Sequence, residues 1–127
     1  MSKIAFDTNY LVRYLVQDDP EQCRIVDIAI QEACDAQEPI LLPNIVLCET
    51  VWVLSRSYGA TRKDILEALK GLAEESSFVF EDPTHVQRAI NAFKNGIADF
   101  ADYLLMEVCR VAGAELRTFD KKLAKET

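Results

Sequence analysis

The sequence predicts an α/β fold, a three-layer α/β/α sandwich with a short central parallel sheet, on three observations. Short apolar runs alternate with longer stretches of helical periodicity along the whole chain. At 127 residues the chain suits one compact domain, residues 1–127, and half of its residues are hydrophobic, enough for a core without disulfides or a structural metal. No internal repeat, low-complexity stretch or linker breaks the alternation. Strands that alternate with helices lie parallel, with helices on both faces of the sheet.

The elements follow in order. Ile4-Ala5-Phe6 reads as a short buried strand that stops at Asp7. Residues 9–16 are helical by period, with Leu11, Val12, Leu15 and Val16 on one stripe. Asp19 before Pro20 marks the next helix start, because proline at the first helical position loses no hydrogen bond. That helix, residues 20–36, is expected to turn Ile25, Ile28 and Ala29 inward. A strand over residues 39–42 leads to a helix opened by Pro43 and Asn44, which runs to about Tyr58 and ends at Gly59. Thr61 and Asp64 have capping-box spacing, and Ile65, Leu69 and Leu72 form the inward stripe that follows. Residues 77–80 are a third strand. Pro83 starts a helix with Val86, Ala89, Ile90 and Phe93 on one face, ended by Gly96. Residues 99–112 are helical, with Leu104, Leu105, Val108 and Cys109 apolar and Gly113 as terminator. Residues 115–119 are a fourth strand, and 120–126 a basic closing helix.

Composition narrows the function. There are 14 Lys+Arg against 21 Asp+Glu, a net charge of −7, which disfavours broad contact with DNA or an anionic membrane. Cys23, Cys34, Cys48 and Cys109 form no CxxC pair and there is one histidine, His85, so zinc ligation is not expected. Apolar neighbours around each cysteine suggest reduced thiols inside a cytoplasmic protein. The longest apolar region, residues 40–54, is too short for a membrane span, and no signal peptide is evident.

Several acids break the apolar pattern. Asp7 ends a strand, where it or Asn9 could cap the next helix or hold a ligand. Glu49 is the only charge between residues 40 and 54, so it needs a partner, for instance Arg13 or Arg110, or a site. Asp99 and Asp102 share a face in a first helical turn, which also suits the helix dipole. Asp120 follows Thr118 and Phe119 at a strand exit and could cap the last helix. In a parallel α/β sheet ligands bind beyond the carboxyl ends of the strands, and each of these acids falls near that edge or on a helix that can reach it. Converging carboxylates repel one another unless cations neutralise them. A cluster of acids without histidine or cysteine points to Mg²⁺ or Mn²⁺, and such ions commonly serve phosphate chemistry. Without these five acids the net charge is −2, so a metal-loaded site beside Lys121, Lys122 and Lys125 could attract a polyanion.

The stretches "FDTNYLVRYL", "CETVWVLSRSYG" and "DFADYLLMEVCRVAGAELRTFDKKL" resemble, in order and spacing, the PIN-domain family, and within it the VapC-type ribonuclease toxins of toxin–antitoxin pairs. The resemblance spans nearly the whole chain. It implies a PIN-like sandwich and a metal-dependent endoribonuclease in which a metal-activated water leaves 5′-phosphate and 3′-hydroxyl ends on RNA. Asp7, Glu49, Asp102 and Asp120 match the family acids, and Asp99 is an additional one. The metal would be held by Asp7, Asp102, Asp99 and Glu49. Thr8, Asn9 and Thr118 match polar positions that orient acids or waters. Tyr103 stands where a small residue is frequent. The resemblance also implies a homodimer held inactive by a small antitoxin, with DNA contacted only through the antitoxin.

Two other readings remain. A haloacid-dehalogenase-type phosphotransferase also places Asp at a strand end, but its second Asp is here Asn9. A catalytically silent PIN-like scaffold, binding RNA or a protein partner, would keep the same fold.

Overall fold

A computed structural model describes residues 4–126, so the outermost residues of the expected 1–127 domain, 1–3 and 127, lie outside the described residues. The expected α/β class holds, with helices dominating and a small parallel sheet. The chain divides between Glu81 and Asp82 into two compact units.

The first unit carries the sheet. Strands β1 (Ile40–Leu42) and β2 (Phe78–Phe80) run parallel, with Ile40, Leu41 and Leu42 opposite Phe78, Val79 and Phe80. The expected first strand is reduced to a single parallel bridge, Ala5 opposite Leu41. Two backbone bonds hold it: Phe6 N donates to Leu41 O at 3.1 Å, and Leu41 N to Ile4 O at 2.9 Å. Helices α1 (Thr8–Leu15), α2 (Pro20–Ala36), α3 (Asn44–Ser57) and α4 (Arg62–Glu74) complete the unit. Its core joins Phe6, Leu11, Val12, Ile40, Leu42 and Leu47, all nearly inaccessible. The Phe6 ring meets Tyr10 at 5.2 Å and Phe78 edge-on at 5.9 Å, an arrangement that aromatic quadrupoles favour.

Most helix starts occur where short polar residues predict them. Asp19 Oδ1 accepts from Gln22 N at 3.1 Å, with Pro20 at the first helical position. Thr61 and Asp64 close a reciprocal capping box, at 3.1 Å and 3.0 Å. In α2, however, Ile25 and Ile28 are exposed, and the buried positions are Val26 and Ala33. The helix carries apolar residues on more than one stripe, and the one through Val26, Ile30 and Ala33 is the one that packs.

The second unit contains α5 (Pro83–Asn95), α6 (Phe100–Ala112) and α7 (Lys121–Glu126). Val86, Ala89, Ile90 and Phe93 of α5 are buried as expected. In α6 the inward face is Phe100, Tyr103, Leu104 and Glu107, while Leu105 and Val108 are exposed. Phe93 and Phe100 meet edge to face at 6.2 Å. Gly113 ends α6 at φ 66°, a left-handed conformation that a Cβ disfavours. The fourth strand expected over residues 115–119 does not form. That segment has no ladder bonds among the described residues, and Phe119 is fully exposed. No helix among the described residues is long and apolar enough to cross a membrane.

Candidate active site

In the first unit, Asp7 sits just after the buried Phe6 and at the start of α1. Its Oδ1 accepts from Tyr10 N at 2.9 Å, so Asp7, and not Asn9, caps the helix. The carboxylate is exposed at the positive end of the helix dipole, and Oδ2 is not used by the cap. The next residue, Thr8, donates its hydroxyl to Glu49 Oε1 at 2.8 Å and so ties the start of α1 to α3. Asn9 is exposed beside a cleft of about 190 Å³ that Tyr10, Arg13 and Gln22 also line.

Glu49 is exposed, contrary to the expectation of a buried charge on a helix apolar nearly all round. Ile45 and Trp52 on the same helix are also exposed, so this side of α3 faces solvent. Neither expected arginine pairs with it. Arg13 is ion-paired to Asp18 and donates to Tyr58 Oη at 3.2 Å, and Arg110 pairs with Glu107 at 2.8 Å. Thr8 is the group that orients Glu49.

In the second unit, Asp99 and Asp102 take the two positions of a capping box at the start of α6, and Asp102 Oδ2 accepts from Asp99 N at 3.3 Å. Asp102 is half-buried. Burial, and then the negative charges of Asp99 and Asp120, push its carboxyl above the ordinary value against that hydrogen bond. Asp120 Oδ1 accepts from Lys122 N at 2.8 Å and Leu123 N at 3.1 Å, capping α7, while Thr118 Oγ1 accepts from Asp120 N at 3.0 Å. Thr118 therefore fixes the backbone that presents Asp120.

Thr8 is thus joined to Glu49, Thr118 to Asp120, and Asp102 lies within the field of Asp99 and Asp120. Capping and ligation are compatible, because a carboxylate has two oxygens and a cap uses one. In kind, these acids suit a hard divalent ion, being anionic and offering only oxygen. In arrangement they are incomplete. Among the described residues no three acidic, histidine or cysteine side chains stand close enough to cage an ion.

One acid escaped the sequence reading. Glu107 is buried at 7% exposure and receives Arg88 Nε at 2.5 Å and Arg110 Nε at 2.8 Å. Its only sequence signal is its spacing, three and four residues beyond the inward Leu104 and Tyr103. The cysteines are all free thiols, but Cys34 is exposed and none is fully buried. Burial, then the nearby charge of Glu49, pushes the Cys48 thiol up.

A small parallel sheet among helices, with carboxylates at several helix starts, places the chain among α/β proteins. The chain matches the PIN domain over residues 4–126 and belongs to the PIN-domain family, whose members are generally metal-dependent nucleases. No curated protein and no solved structure matched the chain.

Proposed function

We propose that residues 1–127 form a single nuclease domain that cleaves RNA internally with the help of Mg²⁺ or Mn²⁺, and that it is the toxin of a toxin–antitoxin pair. One observation carries this reading: the chain matches the PIN domain over residues 4–126, and burial together with the charges of Asp99 and Asp120 raises the Asp102 carboxyl within it. The proposed acids are Asp7, Glu49, Asp99, Asp102 and Asp120, with Asp7, Asp102, Asp99 and Glu49 holding the ion. Thr8, Asn9 and Thr118 support them. A divalent ion held by these acids would supply an activated water and offset charge on the attacked phosphate.

The chain's own groups have separable tasks. The Thr8 hydroxyl holds one oxygen of Glu49 and leaves the other to ligate. The caps at Tyr10 N and Lys122 N fix the rotamers of Asp7 and Asp120, so ordering these acids costs little further entropy. Lys121 and Lys122, exposed beside Asp120, attract the RNA backbone. Attack by water, not by the 2′-hydroxyl, leaves 5′-phosphate and 3′-hydroxyl ends. A net charge of −7 complements the basic arm of a small antitoxin. The toxin acts in the cytoplasm as a homodimer, and DNA is met only through the antitoxin.

Asp7→Asn tests the reading cleanly, because Asn caps a helix about as well as Asp and the change removes only the charge. Mg²⁺-dependent cleavage of RNA is expected to disappear while the circular-dichroism spectrum and the melting temperature stay near wild type. Undiminished cleavage by that variant overturns the assignment.

A further inference from the structure

The second unit contains a cavity of about 590 Å³ between α5, α6 and the segment after Gly113. This lies inside the range of roughly 300–1,000 Å³ usual for small-molecule sites. Ala92, Met106 and Leu116 give it apolar walls, with buried Ala89 and Tyr103 behind them. Its polar groups are few and organised. Buried Glu107 takes one N–H from Arg88 and one from Arg110, in each case from Nε.

That choice of nitrogen matters. A guanidinium has five N–H donors, and these two spend only Nε on the carboxylate. Their terminal NH₂ groups have no other protein partner among the described residues, and both arginines are about half exposed. Glu107 thus fixes the two forks from beneath and balances one of their two charges. Glu115, also at the cavity wall, is paired with Arg117 at 3.2 Å. Arg88, Arg110 and Arg117 against Glu107 and Glu115 leave this cluster one net positive charge in an otherwise acidic chain, and Arg88 and Arg110 present planar forks that match phosphate oxygens.

We infer that this cavity is a binding site for a phosphomonoester carried on an apolar body of about nucleotide size, its phosphate held by Arg88 and Arg110 and its body lying against Ala92, Met106 and Leu116. Both a free nucleotide and the phosphorylated end of a short RNA present this chemistry. The site requires no metal ion and does not depend on the nuclease assignment.

Calorimetric titration in excess chelator, which removes any contribution from carboxylate-bound ions, tests it. Adenosine 5′-monophosphate should bind, with inorganic phosphate and adenosine each weaker by about tenfold or more, since each supplies half of the recognition. A 5′-phosphorylated RNA trinucleotide binding more tightly than the mononucleotide identifies an RNA end as the source, and the reverse order identifies free nucleotide. Ala92→Phe fills the cavity and leaves the ion cluster intact, so it should abolish binding at an unchanged far-UV spectrum. Arg88→Lys keeps the charge but removes the fork and should weaken the mononucleotide about tenfold; it decides the matter if Ala92→Phe does not fold. No binding of the mononucleotide at millimolar concentration, or binding unchanged in the folded variants, leaves Glu107 and its arginines a purely structural cluster and overturns the inference.

Discussion

At the scale of single residues, Glu107 illustrates how an acid survives burial. Burial alone would push its carboxyl up, but hydrogen bonds and charge from Arg110 and Arg88 outweigh it and hold the group below its ordinary value of 4.5. A carboxyl depressed in the folded state binds fewer protons there than in the unfolded chain. It therefore contributes stability that is present above about 4.5 and is lost as pH falls through the folded value. Melting temperatures of wild type and Glu107→Gln, measured from pH 7 to pH 3, should converge as the pH drops, with the wild type ahead at pH 7. A gap that does not narrow below pH 4.5 contradicts this account. The arrangement was not legible in the sequence, because Arg88 lies on another helix, 19 residues earlier, and only tertiary packing brings it to the carboxylate. Glu49 is the converse case. Its isolation among apolar neighbours suggested burial, but α3 exposes one side, and the partner is the Thr8 hydroxyl.

At the scale of elements, local chemistry wrote the helix starts plainly. Asp7, Asp19, Thr61 and Asp99 each precede a helix at the position where a short polar side chain meets unpaired N–H groups. For α4 the consequence is measurable. Thr61→Ala removes the acceptor that Asp64 N uses and should cost about 1 kcal/mol in urea unfolding at pH 7, with the denaturant slope unchanged. Thr61→Ser retains the hydroxyl and should recover most of that loss. A full-size effect in the serine variant would point to packing of the threonine methyl instead. Strands were less legible than helices, and for a physical reason. A helix satisfies its hydrogen bonds within its own segment, whereas a strand exists only against a neighbour. Residues 40–42 and 78–80 find one another and residue 5 finds Leu41, but the equally β-prone 115–119 segment pairs with nothing among the described residues. The stripe of α2 failed for a related reason. Periodicity identifies faces, and with more than one apolar face present, the neighbouring elements choose Val26 and Ala33 over Ile25 and Ile28.

At the scale of the whole molecule, the alternation of elements was enough to reach the α/β class, because it follows from local patterns that any packing must respect, while the PIN-domain family was reached through the resemblance of three sequence stretches. Bringing acids together is a tertiary matter of which the sequence indicates only the ingredients, and among the described residues no three stand close enough to cage an ion. A proposed metal site makes the stability of the entire fold respond to the ion, because an ion that binds the native chain and not the unfolded one stabilises by mass action. At 100 times its dissociation constant the gain is about 2.7 kcal/mol, which for a domain of this size raises the melting temperature by roughly 10 °C. Without the ion, Asp102 opposes folding. Asp102, with its carboxyl pushed up by burial and by Asp99 and Asp120, binds protons more tightly folded than unfolded, so its contribution worsens as pH rises through the folded value. In chelator at pH 7, Asp102→Asn should therefore melt slightly above wild type, since the amide can still accept from Asp99 N without the charge. Titrating Mn²⁺ should then reverse the order, raising the wild type by several degrees and the variant by much less. A wild type whose melting temperature ignores Mn²⁺ up to millimolar concentration would remove the metal from the proposed mechanism. A variant that gains as much as wild type would remove Asp102 from its ligands.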